Sequence, residues 1–95
     1  MNKYSLDFDK KASKDLLYLD KSVRNFILDE LEIFINNFDE TYEKELIKIT
    51  KIKALQGEYK GLYRLRLRTY RLIYEKQNDK LVILVLRVSH RKDIY

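Results

Sequence analysis

The sequence predicts an α+β fold: an N-terminal strand, a two-helix hairpin, then a three-stranded antiparallel meander, with the helices packed on one sheet face. Three observations carry this. Val23, Ile27, Leu31, Phe34 and Phe38 recur at three- and four-residue steps, the spacing of one helix face. Residues 62–68 alternate, with Tyr63, Leu65 and Leu67 against Leu62, Arg64, Arg66 and Arg68, as a half-buried strand does. The run LVILVLRV (81–88) is apolar on both faces, the composition of an inner strand.

Each element follows in order. Tyr4, Leu6 and Phe8 share one face of a short strand. Asp9 is suited to cap the helix that follows, where Ala12, Leu16 and Leu19 fall at helical spacing. Asp20 is placed to cap the second helix, which frays at Asn36-Asn37. Residues 39–60 admit two readings. Leu46, Ile49, Ile52 and Leu55 suit a helical turn, whereas Ile47, Ile49 and Lys51 suit a short strand. Gly57 and Gly61 punctuate the chain before the meander. A tight turn near Thr69 joins 62–68 to 70–76, where Tyr70, Leu72 and Tyr74 oppose Arg71, Ile73 and Glu75. Gln77-Asn78-Asp79-Lys80 is a polar turn, and SHRKDIY (89–95) forms a polar tail with an aromatic end.

The 95 residues suit a single domain spanning 1–95. Hydrophobic residues make up 45% and charged residues 37%, the balance of a soluble globular chain. Cysteine is absent. That excludes disulfides, thiolate metal sites and a cysteine nucleophile. No apolar run approaches the roughly 20 residues that span a bilayer, and MNKYSLDFDK lacks the apolar centre of a signal peptide. A cytoplasmic location is therefore expected.

The net charge of +5 is unevenly divided. Residues 1–47 hold 7 Lys/Arg against 11 Asp/Glu, a balance of −4, and residues 48–95 hold 13 against 4, a balance of +9. A basic half of this kind suits a polyanion. On a strand, alternate residues lie about 6.6–7 Å apart, so Arg64, Arg66 and Arg68 form a ruler matched to phosphates on an extended single strand. Arginine forks suit phosphate oxygens, and nearby tyrosines suit stacked bases. Lys53, Lys60 and Lys92 join them as candidate RNA contacts.

Catalytic signals are sparser. His90 is the only histidine, which rules out a two-histidine ribonuclease site and a His-rich metal site. No metalloprotease, P-loop or dinucleotide motif occurs. His90, Arg91 and Tyr95 share the tail and suit phosphoryl transfer without metal. A base takes the proton of the 2′-hydroxyl, arginines stabilise the phosphorane, and an acid protonates the leaving 5′ oxygen.

The segments KALQGEYKGLYRLRLRTYRLIYE and LVILVLRVSHRKDIY, in this order, resemble the RelE/ParE toxin superfamily of type II toxin–antitoxin systems. The resemblance rests on Lys53, Leu55 and Gly57; on Gly61, Tyr63, Arg64 and Arg66; on Tyr70, Arg71 and Tyr74; and on the closing His90, Arg91 and Tyr95. It implies a toxin that enters the ribosome and cuts mRNA without metal or cofactor. It also implies a cognate antitoxin partner with an acidic, partly disordered segment, and no membrane. By position, Arg64 and Arg66 match a pair of basic strand residues, Arg71 and Arg91 match two arginines, and Tyr95 matches a tail tyrosine. The best-known member has lysines at the positions of Arg64 and Arg66, and arginine is a poorer base. Some relatives carry a histidine in the tail, which makes His90 a rival base. The ParE-like branch instead implies inhibition of DNA gyrase without nuclease activity. A third reading is a non-catalytic nucleic-acid-binding module.

Overall fold

A computed structural model describes residues 3–92. The elements run β1 (Ser5–Phe8), α1 (Lys10–Leu17), α2 (Lys21–Asn37), α3 (Glu40–Lys48), β2 (Ile52–Ala54), β3 (Leu62–Leu67), β4 (Tyr70–Gln77) and β5 (Val82–His90), with a 3₁₀ turn at Gly57–Tyr59. They form one five-stranded sheet in the order β1-β5-β4-β3-β2. The expected meander is its centre. β1 adds to β5 in parallel, and β2 adds to β3 antiparallel.

Residues 39–60 hold a helix and then a strand, shifted from both readings: of Leu46, Ile49, Ile52 and Leu55 only Leu46 lies in α3, and Ile47 lies in that helix rather than in a strand. Asp39 caps α3, accepting from the Tyr42 N–H at 2.7 Å. The helix stops at Lys48, and Thr50 takes a left-handed φ of 62°. The chain then extends into β2, one residue beyond the strand expected from Ile47, Ile49 and Lys51. Asp9 accepts from the Lys11 N–H at 3.0 Å, as its capping position predicts. Asp20 stands at the start of α2 but makes no capping bond from its side chain.

One face of the sheet carries the helices. Ile52, Leu65, Leu72 and Val88 line up across four strands by register and are buried against Ala12, Leu16, Ile27, Leu31 and Phe34. Burying such side chains supplies most of the driving force for folding, at about 25 cal/mol per Å² of apolar surface. α1 also completes the sheet edge. β1 pairs with β5 only as far as Val85. Further along, the Val88 N–H donates to Asp15 Oδ2 at 2.9 Å. Arg87 grips the same carboxylate through Nε (2.9 Å) and Nη2 (3.1 Å).

α3 is locked to the sheet by a buried polar cluster. Glu43 is 4% exposed. It accepts from the Tyr74 hydroxyl at 2.7 Å and from Lys76 Nζ at 2.6 Å. Tyr74 stacks on Tyr63 with ring centres 5.3 Å apart and packs obliquely on Phe34. Among the described residues, no helix is long and apolar enough to cross a membrane.

Removing one partner of a buried ion pair strands the other, at a cost of about 3–5 kcal/mol. Glu43→Ala should therefore lower stability by about 3 kcal/mol in urea unfolding, and Glu43→Gln, which keeps a partner for Tyr74, by less. Burial, followed by the Glu43 carboxylate, raises the Tyr74 hydroxyl above its ordinary 10.0. Burial pulls Lys76 down, but the hydrogen bond and charge of Glu43, aided by Tyr63 and Tyr4, leave it raised above 10.5. Both groups hold their protons more tightly when folded than when unfolded. The stability they contribute is full below pH 10.0, the ordinary tyrosine value, and is lost as pH rises beyond it. Urea midpoints measured from about pH 8 to about pH 11 should hold steady and then fall.

Candidate nucleic-acid interface

The sheet face away from the helices carries the basic residues. Pairing sets Arg66 opposite Arg71, and Arg71 opposite Ser89, in one row. Lys53, Arg64, Ile73 and Arg87 form the next row. Arg91 follows β5, and its backbone N–H donates to the Thr69 carbonyl at 2.7 Å. That bond fastens the chain after β5 to the β3–β4 turn.

The cluster is electrostatically strained. Partial burial, and then the positive charges of Arg64, Arg66 and Arg91, hold the Arg71 guanidinium below its ordinary proton affinity. Its Nη1 donates to the carbonyls of Arg68 (3.1 Å) and Tyr70 (3.2 Å), which fixes the side chain over the turn. Ion pairs among the described residues join Lys76 to Glu43 and Arg87 to Asp15. None involves Arg64, Arg66, Arg71 or Arg91. Arg64 Nε is buried and without a hydrogen-bond partner. Three guanidinium groups that act on a fourth, none of them in an ion pair among the described residues, form a surface suited to a polyanion.

The structure separates other candidates from this cluster. Arg68 is not the third rung of a ruler. β3 ends at Leu67, and Arg68 occupies the two-residue turn with a left-handed φ of 58°. Its guanidinium carbon lies 4.1 Å from the centre of the Phe26 ring on α2, a cation–π contact. His90 pairs with Tyr70, next to buried Val88 and Leu67 in the alternation, and so belongs to the helix-bearing face. Its ring meets Tyr70 edge-on at 5.4 Å, and Nδ1 accepts from the Lys92 N–H at 3.3 Å. Lys60 and Lys92 are exposed. Tyr95 lies outside the described residues.

Ser89 was not among the sequence candidates, yet its hydroxyl-bearing position faces Arg71. Alternation counted back from Arg91 points to it, but SHRKDIY reads as a tail rather than as the end of a strand. Among the described residues, no three of His, Cys, Asp and Glu come together to hold a metal ion.

A family model for the ParE toxin of type II toxin–antitoxin systems, parDE, matches residues 6–95. The mRNA interferase toxin RelE of Escherichia coli (strain K12) is 32% identical over 89 residues, covering 94% of this chain and 84% of that protein. The toxin RelG of Mycobacterium tuberculosis is 42% identical over 43 residues, 45% of this chain and 49% of that protein. Among solved structures, the RelE–RelB complex of Pyrococcus horikoshii superposes with a TM-score of 0.69 at 26% identity, covering 99% of this chain and all of that one. The RelBE2 complex of Mycobacterium tuberculosis gives 0.68 at 26% identity, covering 93% and 98%. A family model spanning nearly the whole chain, a relative alike over most of both lengths and a shared architecture together establish that this chain belongs to the RelE/ParE toxin family of type II toxin–antitoxin systems, in its RelE-like branch.

Proposed function

We propose that this chain is a ribosome-dependent mRNA endoribonuclease that stops translation in the cytoplasm, held in check by a cognate antitoxin. The observation that carries the reading is the cluster of Arg64, Arg66, Arg71 and Arg91 on the open sheet face. The relatives named mRNA interferase support it.

In the reaction, the 2′ oxygen attacks the adjacent phosphorus and the bond to the 5′ oxygen breaks. The 2′ proton leaves, and a proton reaches the departing oxygen. Negative charge gathers on the non-bridging oxygens. Arg71, held by two backbone carbonyls, and Arg64 beside it are suited to stabilise that charge without reorganising. Arg66 and Arg91 complete the clamp, and Lys53, in the row of Arg64, extends it along the RNA. No metal or cofactor enters this scheme.

Proton transfer is assigned to Tyr95 on resemblance. His90, on the opposite face, ranks below it as a base. Lys60, Lys92 and Arg68 serve as outer contacts to RNA phosphates. The antitoxin is proposed because solved relatives are complexes with RelB proteins, and a basic face suits an acidic segment.

Purified protein added to programmed ribosomes should produce new mRNA ends. Removing one donor to a charged transition state costs about 10²–10³-fold, so Arg71→Ala should slow single-turnover cleavage about 100-fold, and His90→Ala at most a few-fold. Intact mRNA, with gyrase supercoiling inhibited instead, would overturn the reading in favour of the ParE-like activity. Neither effect, with salt-dependent RNA binding retained, would leave a binding module. The affinity of the antitoxin should fall as salt rises.

A further inference from the structure

We propose that an apolar pocket one pleat from the arginines takes an unstacked nucleobase of the nucleotide whose phosphate they hold. The inference rests on the reading of the open face as an RNA site. It adds a subsite that four uncharged residues, Tyr59, Leu62, Ile73 and Leu86, line beside three charged ones.

The open face of a sheet that meets water normally carries polar side chains. This one does not throughout. Ile73 is only 5% exposed, yet it lies outside the core that the helices cover. It sits on the open face between Arg64 and Arg87. The strand beside it is irregular: Ile73 pairs with Arg87 and Tyr74 with Val85, so Leu86 has no partner across the ladder. A β-bulge of this kind re-aims a side chain, and bulges gather beside functional sites. Here Leu86 joins Ile73, Leu62 and Tyr59, with Asp9, Lys11 and Arg87, around a hollow of about 390 Å³. That volume falls within the roughly 300–1,000 Å³ of small-molecule sites.

The neighbourhood identifies the occupant. Arg71 precedes Ile73 by two residues on the same face, and Arg64 follows Leu62 by two. Each step is about 6.6–7 Å, so one nucleotide spans phosphate cluster and pocket. Single-stranded RNA is read by unstacking bases against apolar and aromatic surfaces, and stacking tolerates any base.

The test uses a 2′-O-methyl triribonucleotide, which cannot be cleaved by 2′ attack, and a ribose-phosphate trimer of equal charge without bases. The full chain should bind the base-bearing trimer at least about fivefold more tightly, the lower end of what one stacked base contributes. Leu86→Thr and, separately, Leu62→Thr, each confirmed folded by circular dichroism, should lose that preference while binding the base-free trimer as before. Arg71→Ala should weaken both trimers together. Equal affinity of the unaltered chain for the two trimers would overturn the proposal and leave the pocket to an apolar side chain of a protein partner. Unchanged preference in both folded variants would overturn it too. Cleavage on programmed ribosomes is scored separately. Cleavage without base preference sinks the pocket alone, and base preference without cleavage sinks the nuclease reading alone.

Discussion

Tyr74 is buried where three layers meet, and its hydroxyl donates to Glu43, which is itself buried. The ring stacks on Tyr63 of β3 and packs on Phe34 of α2, while the hydroxyl reaches α3. One side chain on the central strand thus links sheet, long helix and third helix. Lys76, two residues further along the same face, completes the charge balance of Glu43. An unmet polar group in such a place is costly. The contacts therefore fix how α3 sits and where the chain turns into β2. The position of Lys53 beside Arg64 follows from that turn.

This frame explains how the opposite face tolerates its charge. Burial and then the charges of Arg64, Arg66 and Arg91 depress the protonation of Arg71, and among the described residues no ion pair joins any of the four to a carboxylate. A loose loop would swing such groups apart. β3 and β4 cannot, because Leu65, Leu72 and Tyr74 alternate with the arginines and are anchored in the core. The repulsion stays stored until an anion arrives. Protein dipoles and charges held in advance of the reaction act without reorganisation. Under the proposed function, that charge meets the phosphates of an RNA.

Much of this could be read from the chain. Alternation in 62–76 and helical spacing in 23–38 place Arg64, Arg66, Arg71 and the core leucines correctly. What escaped has identifiable causes. Arg68 continues the alternation in sequence, but a two-residue turn needs left-handed backbone, and that turn falls on Arg68. Residues 39–60 hold two short elements separated by the left-handed Thr50, so neither period persists long enough to win. The bulge at Leu86 breaks the count along β5. His90 and Ser89 therefore cannot be assigned to faces from the sequence of that strand alone. Parallel pairing of β1 with β5 links residues far apart in the chain, and local pattern is silent on it.

The carboxylate of Asp15 has a consequence for life at high concentration. A sheet rim with free amides is a template on which copies of a chain can polymerise. Along β5 the rim is covered first by four residues of β1 and then by Asp15, which occupies the Val88 amide with an acceptor that cannot propagate a ladder. At the far rim, β2 is three residues long and presents Lys53 to solvent. The ladder open to another copy is thereby cut down to two short edge strands, the four residues of β1 and the three of β2.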